Sequence, residues 1–75
     1  GVASDKKEAV KYYKKAAEQG NLDAMFNFGQ MLKNGDGIEA DKKEAAYYLK
    51  MAADLGHIDA SQSYEALLRE KIEDQ

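Results

Sequence analysis

The sequence predicts an all-α repeat fold: two helix–turn–helix units, giving four antiparallel helices. Three observations predict it. The chain repeats itself at an offset of 36 residues, its apolar residues recur at helical spacing, and it contains no proline. Asp5 begins DKKEAVKYYKKAAEQGNLDA, and Asp41 begins DKKEAAYYLKMAADLGHIDA. Aligned without a gap to Gln75, the copies share 13 identities in 35 pairs, too many and too well grouped to be chance. Residues 1–4 fall one repeat before 37–40, so they are expected to end the inter-repeat loop of a missing upstream repeat. Repeat 1 is then 5–40, and repeat 2, with a C-terminal capping helix, is 41–75.

The first helix is expected to start at Asp5, an N-cap candidate with Glu8 in capping-box spacing. Placed 100° apart, Ala9, Val10, Tyr12, Tyr13, Ala16 and Ala17 fall within an arc of about 160°. Gly20 follows, where a helix end turns left-handed. The second helix, about 22–33, carries Leu22, Ala24, Met25, Phe26, Phe28, Gly29, Met31 and Leu32 over roughly 220°. So wide an apolar surface needs neighbours on two sides. Asn34-Gly35-Asp36-Gly37 then turns the chain back.

Asp41 and Glu44 open the third helix in the same capping spacing, and Gly56 closes it. Its inner face is Ala45, Ala46, Tyr48, Leu49, Ala52 and Ala53. It adds Tyr47, Met51 and Leu55 where the first repeat has Lys11, Lys15 and Gln19. The fourth helix, about 58–71, keeps a narrow inner arc of Ala60, Tyr64, Leu67 and Leu68. Ser61, Gln62 and Glu65 replace Met25, Phe26 and Gly29, so its outer face is polar, as at the end of a repeat array.

The order of these signals resembles the Sel-1-like repeat, a relative of the tetratricopeptide repeat with a longer inter-repeat loop. The stretch AVKYYKKAAEQGNLDAMFNFGQMLKNGDGIEAD carries the resemblance. In it the paired aromatics Tyr12-Tyr13, the run from Lys15 to Gly20, Ala24 with Phe28-Gly29, and Gly35, Gly37, Ile38 and Asp41 match the family's pattern. Departures lie in the last helix, where Gly29 becomes Glu65 and no Gly-x-Gly follows Arg69. The resemblance implies a right-handed superhelix of helix pairs that acts as an adaptor in protein complexes. It implies no catalytic residue and no cofactor. Its structural positions here are Ala9, Tyr13, Ala16, Gly20, Ala24, Phe28, Gly29, Gly35, Gly37, Ala45, Ala52, Gly56 and Ala60.

Composition narrows the function classes. The net charge is −3, without the positive surplus that displaces counterions from phosphates, so nucleic acid is a poor partner. There is no cysteine for a disulfide or a thiolate metal site, and no apolar run long enough for membrane insertion. The compartment is not legible. A single histidine, His57, aligns with Asn21 in the hairpin turn, where capping explains it better than catalysis. Asp23 and Asp59 sit at the positive ends of the second helices. The loop NGDG lacks both the P-loop lysine and the EF-hand ligand spacing.

Two surfaces remain as partner-binding candidates. Lys7, Lys11 and Lys14, with their counterparts Lys43, Tyr47 and Lys50, share one helix face. In related arrays such faces line the concave surface, so they form either a basic groove for an acidic segment or a solvated face with local ion pairs. Tyr47, Met51 and Leu55 form an i, i+4, i+8 stripe. It serves either a partner or packing against a neighbouring helix or the tail containing Ile72. The expected function is a protein-interaction adaptor, with a purely structural cap as the alternative. Self-association through the uncovered end of the array is a further expectation.

Overall fold

The computed structural model describes the backbone of residues 2–73 and the side chains of 5–70. It is built of α1 (Val2–Glu18), α2 (Leu22–Asn34), α3 (Lys42–Asp54) and α4 (Ile58–Glu73), with no strand among the described residues. Consecutive helices pack against one another, and the α2–α3 contact is the most extensive. The result is two stacked hairpins in a slab with extents of 38 × 27 × 15 Å.

The hairpin turns repeat bond for bond. After α1, the Asn21 N–H donates to the Ala16 carbonyl (3.1 Å); after α3, the His57 N–H donates to the Ala52 carbonyl (3.0 Å). These six-residue closures require the preceding residue to be left-handed. Gly20 (φ 94°) and Gly56 (φ 102°) supply that. Between the hairpins, Gly35 caps α2 (φ 70°), and the Asp41 N–H returns to the Leu32 carbonyl (2.9 Å).

One expected boundary differs. Asp41 caps α3, its carboxylate accepting the Glu44 N–H at 3.1 Å. Asp5 does not cap α1, which starts at Val2, so residues 2–4 continue the helix instead of forming a loop. Asp41 is held extended by its N–H bond to the Leu32 carbonyl. Asp5 instead lies in the first turn of α1, where its charge suits the helix dipole.

The core sits on the seam between the hairpins. Phe28 and Leu32 of α2 and Leu49 of α3 are its largest fully enclosed side chains, each contributing about 1.5–3 kcal/mol. Phe28 meets the edge of Tyr48 at 4.9 Å. Gly29 marks a close approach: a Cβ there would lie 2.8 Å from Leu49 Cγ and 2.9 Å from its Cδ2. Ala24, Ala45, Ala52 and Ala60 are buried as expected, while Ala9, Tyr13 and Ala16 on α1 are half-buried. Tyr12, expected to face inward, is 68 % exposed, whereas its counterpart Tyr48 is 8 % exposed. The difference is α2: it covers α3, and among the described residues no helix covers the matching side of α1.

Candidate functional site

The candidate residues lie on α1 and α3, which together line one surface depression at Ala17, Glu18, Tyr47 and Met51. Lys7, Lys11, Lys14, Lys43 and Lys50 are all exposed. Lys11 lies 4.0 Å from Glu8, and Lys50 lies 3.4 Å from Asp54, so two of the five are engaged with carboxylates on their own helices. Such exposed pairs are worth little individually, and they dilute the positive field of the face. The local ion-pair reading therefore suits Lys11 and Lys50.

The apolar stripe is a different matter. Tyr47 is 62 % and Leu55 58 % exposed, with Met51 half-buried between them. No neighbouring helix covers Tyr47 or Leu55, and the Ile72 side chain lies outside the described residues. Tyr47 and Met51 border a shallow depression of 300 Å³ that reaches α1 at Ala17, Glu18 and Gly20 and has Met25 among its walls. Tyr47 stands edge-on to Tyr48, with ring centroids 5.1 Å apart. Burial pushes the Tyr48 hydroxyl pKa upward, and Glu18, Glu44 and Tyr47 push it the same way. The depression thus offers aromatic and thioether surface with the Glu18 carboxylate at its margin.

His57 is a cap. Its Nδ1 accepts the Ala60 N–H at 3.1 Å, as Asn21 Oδ1 accepts the Ala24 N–H at 2.9 Å. An accepting Nδ1 puts the ring proton on Nε2, which points to Asp23 at 3.4 Å. The ring also stacks on Phe26, with centroids 4.7 Å apart and planes 20° apart. The alignment of His57 with Asn21 pointed to the cap. The cross-repeat link to Asp23 and Phe26 was not legible, because it joins residues 31 or more positions apart whose spacing follows no repeat rule.

Among the described residues, no group of three or more His, Cys, Asp or Glu side chains could hold a metal ion. Among those residues, too, no helix is long and apolar enough to cross a membrane.

Compared with curated proteins and with solved structures, the chain finds no match in either. A family model, the Sel1 repeat, matches residues 1–21 and 22–57. The second segment is one full period long and runs from the start of α2 to the cap of α4. Sel1 repeats are helical, tetratricopeptide-like units that generally mediate protein–protein interactions. With more than half of its residues matched, this chain belongs to the Sel1 repeat family.

Proposed function

We propose that the chain is an adaptor module that grips a peptide or protein partner on the α1–α3 face, as the concave surface of its array. The observation that supports this reading is the stripe of Tyr47, Met51 and Leu55, in which Tyr47 and Leu55 are exposed on either side of the half-buried Met51. The first repeat places Lys11, Lys15 and Gln19 at these positions, so helix formation does not require apolar residues there. Apolar side chains kept in water beside a depression are recovered as binding energy when a partner covers them. Lys43, one turn before Tyr47 on α3, and the exposed Lys7 and Lys14 on α1 would orient an acidic flank of the partner. The role is that of a scaffold with no catalytic step.

The test uses peptides selected from a displayed library against the folded chain. Their affinity is then measured for the triple variant Tyr47→Lys, Met51→Lys, Leu55→Gln, which installs first-repeat residues, and for the double variant Tyr47→Lys, Leu55→Gln, which leaves the half-buried Met51 against the core. The reading predicts a loss of about tenfold or more, or about 1.4 kcal/mol. Unchanged affinity removes the stripe as a binding site.

A structural role for α4 has its own support, because Gln62 and Glu65 are exposed where Phe26 and Gly29 meet the next hairpin. Deleting residues 41–75 from the parent protein separates the two readings. Lost folding without a partner-specific defect favours the cap. Self-association would use the uncovered side of α1 carrying Tyr12, and a one-chain mass by light scattering at high concentration would discard it.

A further inference from the structure

The two hairpins differ in one void. Between the N-terminal half of α3 and the C-terminal half of α4 lies an open groove of 430 Å³, lined by Lys42, Lys43, Ala46, Tyr64, Leu67 and Leu68. One period earlier these are Lys6, Lys7, Val10, Phe28, Met31 and Leu32. There the chain covers itself. The loop leaving Gly35 returns over α1 so closely that a Cβ on Gly37 would lie 2.9 Å from the Lys6 carbonyl oxygen. Asp36 pairs with Lys6 at 2.9 Å, and Ile38 packs half-buried against the core. With the loop and α3 in place, Leu32 is 1 % exposed; Leu68, with neither, is 41 % exposed.

The second hairpin does not rebuild that loop. Lys71 and Glu73 stand where the first has Gly35 and Gly37, and α4 runs on to Glu73 where α2 stops at Asn34. The backbone therefore continues as helix past the point where it would have to turn back. The helical backbone of residues 71–73 leaves the groove open.

We infer that this groove is a second docking site, for a turn of a partner protein with the pattern acidic–glycine–branched aliphatic. The first hairpin displays the fit with the chain's own Asp36-Gly37-Ile38. The aliphatic side chain lies against Ala46, Leu67 and Leu68. The glycine allows the partner backbone to approach the first turn of α3. The carboxylate takes Lys42 from Glu70, now 3.2 Å away in an exposed pair that costs little to exchange. Lys43 adds a second positive charge at the rim.

The probe is the loop itself, residues 34–41 as a capped peptide, titrated into the isotope-labelled chain and followed by amide shifts. Saturable shifts are expected at Lys43, Ala46 and Leu68. Affinity should fall about tenfold or more when the peptide isoleucine is changed to serine, and equally in Leu68→Lys. Absence of saturable shifts, or shifts indifferent to either change, overturns the assignment. A graft of Lys71→Gly, Ile72→Asp, Glu73→Gly, Asp74→Ile and Gln75→Glu rebuilds the loop in cis and should block the peptide. If the graft raises thermal stability while the unaltered chain binds no peptide, the groove serves array extension and the proposal fails.

Discussion

Gly29 and Glu65 occupy the same position in the two repeats, and their surroundings explain why they differ. Leu49 and the Ala45 carbonyl crowd Gly29, leaving no room for a side chain, whereas Glu65 is exposed. Gly29→Glu would drive a carboxylate into the seam, combining overpacking with a buried charge. A loss of about 3 kcal/mol or more is expected in urea unfolding. The reverse change, Glu65→Gly, removes only helix propensity, about 1 kcal/mol. Equal effects of the two substitutions would mean the hairpins are not stacked through Gly29. The Gly29 departure was visible in the sequence because the repeat aligned it with a charged residue. The contact with Leu49 was not, since it depends on how two hairpins dock. Tyr12 shows the same limit: its helical position is right for a core face, but exposure depends on whether another helix arrives.

Helix ends were the most legible elements wherever a cap and its partner both lie within the chain. Asn21, Asp41, Gly20, Gly35 and Gly56 all do what their residue types suggest, for local reasons. Asp5 departs from the rule: the helix begins at Val2 and takes Asp5 into its first turn. His57 extends the rule, capping α4 while tying it to α2 through Asp23 and Phe26. His57→Ala leaves the Ala60 N–H without its acceptor and should cost about 1–2 kcal/mol. His57→Asn copies Asn21, so it should recover about 1 kcal/mol of that, with unfolding curves as the measurement. Tyr48 gives the seam a pH signature. Its hydroxyl pKa is raised in the folded chain, so above the ordinary value near 10 the unfolded chain releases that proton first. Stability therefore falls as pH rises from about 10, and Tyr48→Phe removes that share of the fall. An unchanged alkaline profile in Tyr48→Phe would contradict its burial.

At the scale of the molecule, the repeat made the all-α architecture readable from its residues, because one supersecondary unit was written twice. The candidate site was readable only as a difference between copies. Tyr47, Met51 and Leu55 stood out because the first repeat is polar there, and the folded chain leaves Tyr47 and Leu55 exposed. The groove by Leu68 could not be read in advance, since it is defined by a loop that the second copy lacks. The adaptor reading, the stripe and the groove all presuppose two hairpins packed through α2 and α3. A proton cross-peak between Gly29 Hα and the Leu49 methyl groups tests that packing most directly. Contact at this point predicts a strong cross-peak in the dilute, monomeric chain. Its absence, with Leu49 methyls broadened by a solvent-side probe, would contradict the stacked-repeat account.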